Sequence, residues 1–344
     1  MSRQIRGWAW GLLPLALVAV ATLALRLPEI PRELADQSNN ALAEKGYAWA
    51  GIEVFGRDVT LTGTVPDEDS LAGAVATLTQ IRGARHVSNA TTDPPVASPF
   101  EWSMEHDEDT VTLSGHVPSA RLREDLGEAV AAAFPDKSLN DNMNYARGVS
   151  GEGSWARATE LIISASRHMA EGQAEIRDEE ISLSGRAADV TAYDALPELL
   201  SSPPAGYRLA EMKIDPARVA PHRFEARLEQ GGISFAGHVP SEHSATFARR
   251  EAENISPDRQ IADETAVAEG RVGESDWVAA ARYGLGRLVL LADGARLSIV
   301  DREIEIDGQA ADARAYEALL AGSNSEPPGF SVSFAIRPPS ATLR

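Results

Sequence analysis

Five times along this chain a short β-like run ends in a glycine. Gly63-Thr64-Val65-Pro66, Gly115-His116-Val117-Pro118 and Gly237-His238-Val239-Pro240 share one tetrapeptide form, and Gly185-Arg186-Ala187-Ala188 and Gly308-Gln309-Ala310-Ala311 hold equivalent places. The glycines lie 52, 70, 52 and 71 residues apart, a rhythm that marks a repeated building block. Each residue type suits the end of a strand. Glycine permits close approach or positive φ, valine is still β-like, and proline cannot donate to the ladder, so pairing stops there. The next residue, Asp67, Ser119 or Ser241, is placed to cap a helix. Gly63, Pro66, Gly115, Pro118, Gly185, Gly237, Pro240 and Gly308 are therefore read as structural turns, not as ligand contacts.

Around these marks the chain divides into a first unit at 33–92, paired units at 99–216 and a second pair at 221–338. In the first, a helix over Ala35 to Glu44 precedes strands at Gly51 to Val54 and Val59 to Val65. A helix from Pro66-Asp67 to Ile81 and a strand from Ala84 to Asn89 follow, giving the order α-β-β-α-β. Asp93-Pro94-Pro95 is a linker. The two pairs align with each other at an offset of 122 or 123 residues, with Trp155 matching Trp277 and Tyr193 matching Tyr316. Ser154 is read as the cap of the helix carrying Trp155, and Pro197 as weakening the helix from Asp189 to Leu200.

Residues 1–26 form the other distinct segment. Trp8 to Leu25 is an uncharged run of 18 residues. As a helix it spans about 27 Å, close to the roughly 30 Å of a hydrocarbon core. Arg3 and Arg6 precede it, so the positive-inside rule keeps the N-terminus cytoplasmic. Trp8, Trp10, Leu13, Leu17 and Leu25 are the expected anchor residues, and Leu27 to Arg32 reads as a stiff stalk. The rival reading is a signal sequence cleaved near Ala19-Val20-Ala21. Together these give the expected fold class: α+β, tandem small α-β-β-α-β units after one N-terminal transmembrane helix. The expected location is a single pass of the inner membrane with the bulk periplasmic.

Charge and chemistry narrow the function. The chain carries a net charge of −19. Arg3, Arg6 and Arg26 are the only charged residues of the first 26, so 29 bases face all 51 acids downstream. Such a field repels phosphate backbones, and nucleic acid is not an expected partner. Cysteine is absent, which removes disulfides and thiolate chemistry. The acids at Glu105 to Asp109 and Asp178 to Glu180 fall in hairpin turns and lack the spacing of a calcium loop. His116 and His238 are expected beside exposed turns, without the partners a metal or pH-sensing site needs. No catalytic set, cofactor site or metal site is expected.

The unit, with its strand end of the type Leu113-Ser114-Gly115-His116-Val117-Pro118-Ser119, resembles the BON repeat of bacterial envelope proteins. The paired arrangement of Phe100-Glu101-Trp102, Ser114 to Ser119 and Trp155 is similar to the N-terminal half of certain OmpA-family proteins. The resemblance implies attachment to membrane or phospholipid, or a part in envelope stress, without catalysis. Many such relatives continue into a peptidoglycan-binding domain. The chain ends at Pro338-Pro339-Ser340 to Arg344 without room for one, so direct cell-wall tethering is not expected. The expected function is thus a non-enzymatic, membrane-anchored periplasmic protein whose repeats bind phospholipid or other envelope components. The alternative is a protein-binding scaffold or spacer that offers its sheet edges. Oligomeric state stays open.

Overall fold

The computed structural model describes residues 29–321 and 326–339, which form eight helices and fifteen strands in three sheets. The first sheet is small. Helix α1 (Glu29–Glu44) buries Leu34, Ser38 and Leu42, spaced four apart on one face. Strands β1 (Gly51–Phe55) and β2 (Asp58–Thr62) pair antiparallel across the turn at Gly56, whose φ is +64°. Val59 and Leu61 alternate inward on β2. Helix α2 (Glu68–Thr79) sends Ala74 and Leu78 into the same core, and β3 (His86–Asn89) returns parallel to β2.

The next sheet is built from β4 (Glu101–His106), β5 (Thr110–Val117), α3 (Ala120–Ala133), β6 (Ser138–Tyr145), α4 (Glu152–Ser166), β7 (Met169–Arg177), β8 (Glu180–Ala187), α5 (Val190–Leu199) and β9 (Arg208–Asp215). Its strand order is β6-β5-β4-β7-β8-β9. The third sheet uses β10 (Arg223–Glu229), β11 (Gly232–Val239), α6 (Glu242–Ile255), β12 (Gln260–Val267), α7 (Glu274–Leu288), β13 (Arg296–Val300), β14 (Glu303–Gln309), α8 (Ala313–Ala321) and β15 (Ser331–Arg337), in the order β12-β11-β10-β13-β14-β15.

This corrects the expectation of tandem small α-β-β-α-β units. Strand β4 pairs antiparallel with β7, with Met104 opposite Ala174, and β10 pairs with β13, with Ala226 opposite Leu297. Four of the expected units are thereby fused into two continuous six-stranded sheets. The first half of each has the order β-β-α-β, without a leading helix. One helix packs at each junction instead. Trp155 on α4 stands edge-on to Phe100 at 6.3 Å and to Trp102 at 6.1 Å, and Trp277 on α7 stands edge-on to Phe224 at 5.2 Å. The cause is backbone satisfaction. A strand with one face already in a core would otherwise leave a row of N–H and C=O groups unpaired along its edge.

The anchor expectation is also corrected. Trp8, Trp10, Leu13, Leu17 and Leu25 lie outside the described residues. Among the described residues no helix is long and apolar enough to cross a membrane. The longest, α1, has 16 residues and so runs about 24 Å, short of a roughly 30 Å core, and most of its surface is polar. Over the described residues the fold class is α+β with mixed sheets and no membrane-crossing helix, and the single-pass inner-membrane location is withdrawn with that expectation. The stalk reading fails at Ile30, Pro31 and Arg32, which belong to α1; proline is tolerated there because the first turn needs no intrahelical donor. Helix α4 starts at Glu152 after Gly151, and Ser154 donates its Oγ–H to the Gly151 carbonyl at 3.0 Å and does not cap the helix. Helix α5 continues through Pro197 to Leu199.

Candidate binding cleft

The motif glycines hold the hairpins together. Gly63, Gly115, Gly185 and Gly237 have φ of +113°, +91°, +154° and +92°. A Cβ at any of them would run into a carbonyl oxygen of the preceding strand or turn, that of Trp49, Glu101, Glu171 or Arg223. Gly308 serves only close approach, since its Cβ would meet the Ala295 Cβ at 2.7 Å. Pro66 and Pro118 are buried and Pro240 is half-buried. These eight residues do not assemble into one site. Two of their turns, those after Gly63 and Gly115, do converge, and a cleft lies between them.

Asp67 makes the convergence. Its Oδ1 accepts from the Ser70 amide at 2.7 Å and so caps α2, while its Oδ2 accepts from the Ala120 amide at 2.8 Å. One carboxylate thus serves the N-termini of two helices in two different sheets. Helix N-termini carry unpaired donors and partial positive charge, so a carboxylate suits the position better than the serine found at Ser119 and Ser241. Burial raises the Asp67 pKa, but the backbone donors of Ser70 and Ala120 outweigh it and hold the carboxyl below its usual range.

The cleft beside this bridge has a volume of about 770 Å³. Its walls come from the α1–β1 connection (Lys45, Gly46, Tyr47, Trp49), the start of α2 (Asp69), the start of α3 (Arg121, Arg123, Glu124), β6 (Asp141, Tyr145) and the start of α4 (Glu152). Arg123 is committed: its Nε donates to Asp141 Oδ2 at 2.7 Å and its guanidinium covers the Tyr145 ring at 5.3 Å. Tyr47 and Trp49 stand edge-on at 6.3 Å. With Asp67, Arg123 and Asp141 occupied by one another and by backbone, the cleft presents Lys45 and Arg121 beside Asp69, Glu124 and Glu152. That is a mixed rim over aromatic walls.

Elsewhere the titratable groups serve the fold. Asp107 Oδ1 accepts from the amides of Asp109 and Thr110 at 2.9 and 2.8 Å, and Asp178 Oδ1 accepts from Phe100 at 2.9 Å, so both acidic runs shape turns. His116 and His238 are half-buried, against expectation, because Phe100 and His222 pack on them at 5.6 and 5.9 Å. Burial, then the Lys137 ammonium, pushes the buried His106 down to about 4, with Asp107 opposing. Burial likewise lowers His222 and His238. Among the described residues no group of three or more His, Asp or Glu is arranged to hold a metal.

The sequence reading missed two features. One is the second bond of Asp67, signalled only by Pro66-Asp67 standing where Pro118-Ser119 and Pro240-Ser241 recur. The other is Arg186, which is 12% exposed, donates to Glu269 at 2.5 Å and to the Pro216 carbonyl at 2.9 Å, and faces Glu171 and Asp215 at 3.6 Å. Glu269 follows β12, so this cluster ties the second sheet to the third.

Comparison with known proteins matches residues 33–92 to the BON domain. That segment is a BON domain, and it supplies the β1-β2-β3 sheet and the α1–β1 wall of the cleft. Comparison with curated proteins found no match. Among solved structures, one match is the C-terminal domain of CdsD, a structural protein of the type III secretion system of Chlamydia trachomatis. It is 10% identical, with 53% of this chain and 96% of that chain covered and a TM-score of 0.17. A second structure of CdsD is also 10% identical, covering 54% and 93%, with a TM-score of 0.18. Scores this low do not show a shared fold.

Proposed function

We infer that this protein is a non-enzymatic scaffold of the bacterial envelope. The BON domain at 33–92 carries the reading. Two features of the chain support it. Neighbouring sheets are tied in series, the first to the second through Asp67 and Ala120, the second to the third through Arg186 and Glu269. The connections are paired as well: Val96 bridges to Arg147, whose amide and Nε donate to Pro95 and Pro94 at 2.9 and 3.1 Å, and Arg218 bridges to Glu269. A chain held this way presents fixed surfaces, which suits holding partners in place.

The same proposal takes each six-stranded sheet as a fused pair of half-sheets of the BON kind. Leu61, Leu113, Leu183, Phe235 and Ile306 support it. Each is buried on the middle strand of its half-sheet, two residues before the motif glycine, opposite Ile52, Met104, Ala174, Ala226 and Leu297.

Phospholipid binding is the finer reading that the BON resemblance implies. The charge of −19 opposes docking on anionic lipid unless divalent ions bridge. Vesicle flotation of the full chain separates the two. Flotation with phosphatidylglycerol vesicles only when Ca²⁺ or Mg²⁺ is present supports lipid contact. No flotation in either condition removes it and leaves the scaffold.

A further inference from the structure

We propose that the cleft between the BON domain and the second sheet is a glycan site, taking a neutral, hydroxyl-rich oligosaccharide. At about 770 Å³ the space is in the range of small-ligand sites, and Gly46 leaves one wall open, since a Cβ there would meet nothing within 4 Å. The charges decide the ligand class. The bases that would have to grip a phosphate are spoken for or outnumbered. Arg123 is neutralised by Asp141, and Lys45 and Arg121 share the cleft lining with three carboxylates, Asp69, Glu124 and Glu152. The anion position at the two helix N-termini is already filled by Asp67. A polyanion is therefore repelled. A simple cation finds carboxylates from separate elements and no assembled cage.

A neutral polyol fits each feature. Sugar rings have an apolar C–H face that lies on indole or phenol rings, and Trp49 and Tyr47 supply a perpendicular aromatic pair. Sugar hydroxyls both donate and accept, and a rim of carboxylates beside a guanidinium meets both needs. The bridge at Asp67 pre-sets the distance between the two walls, which lowers the ordering cost of binding.

The test is calorimetric titration of the full chain with chitotriose and cellotriose, in parallel with inorganic phosphate and a short-chain phosphatidylglycerol. The expected result is saturable binding of an oligosaccharide at one site per chain, weakened at least tenfold by Trp49→Ala and about threefold by Arg121→Ala or Glu152→Ala. Those last two side chains are exposed, so their variants carry the test if Trp49→Ala unfolds the BON domain. Absence of saturable oligosaccharide binding, binding untouched by the rim variants, or tighter binding of phosphate or lipid each overturns the proposal. A chain that binds oligosaccharide yet is found away from the envelope sinks the scaffold reading alone.

Discussion

Replacing Asp67 tests how the BON domain is joined to its neighbour. The carboxylate accepts two amide protons, at 2.7 Å from Ser70 and 2.8 Å from Ala120. Removing an N-cap of this kind costs about 1 kcal/mol. The second, charge-assisted bond is worth about 1 kcal/mol more, discounted below the usual ~1.5–3 kcal/mol because Asp67 is only half-buried and water screens it. Asp67→Ala is therefore expected to lose about 2 kcal/mol, and Asp67→Ser, which keeps the cap as Ser119 does, about 1 kcal/mol. Urea unfolding gives the totals and amide hydrogen exchange divides them. In Asp67→Ser the Ala120 amide is expected to exchange faster while Ser70 stays protected; in Asp67→Ala both exchange faster. The acid limb supplies a further check. A carboxyl held below its unfolded value contributes fully above about pH 3.8 and loses that contribution as pH falls through its folded value. The wild-type chain should thus lose this increment in acid, and Asp67→Ala should not. Unchanged Ala120 exchange in Asp67→Ala would refute the bridge.

Three other outcomes follow from the same geometry. His106 stays neutral in the fold to about pH 4 while the unfolded chain takes up its proton near 6.5, so stability falls across that interval by as much as about 3 kcal/mol; His106→Leu should flatten the pH 4–6.5 slope in a denaturation series. Gly115→Ala puts a Cβ against the Glu101 carbonyl at φ +91°, whereas Gly231, at φ +81°, has open space; thermal melts should show a cost of about 3 kcal/mol for Gly115→Ala and about 1 for Gly231→Ala. Arg186→Met takes the partner from Glu171 and Asp215 and leaves Glu269 to Arg218 alone; with the carboxylates half-exposed it is expected to cost about 1 kcal/mol, with limited proteolysis moving to the 216–222 connection.

Local chemistry was readable in the sequence and long-range pairing was not. Gly63, Gly115, Gly185 and Gly237 announce their turns because no other residue takes those backbone angles cheaply. Asp67, Ser119 and Ser241 announce their helices because a cap acts three residues away. The union of β4 with β7 joins residues some 70 apart, and nothing in either strand names its partner; Trp155, buried against both Phe100 and Trp102, shows the junction only once folded. The cleft was hidden for the same reason. Trp49 and Glu152 are ordinary residues of two separate segments, and they reach one space through long-range ties such as the second bond of Asp67 and the Arg147 bonds to Pro94 and Pro95. Pro31 misled in the other direction, because a helix breaker is harmless in a first turn.

The account stands on the chain working at the envelope, as its BON domain suggests. Fractionation of the native host cells measures that most directly. The account predicts the full-length protein with the envelope fractions, apart from a cytosolic marker enzyme. Recovery of the protein wholly with that marker would contradict it.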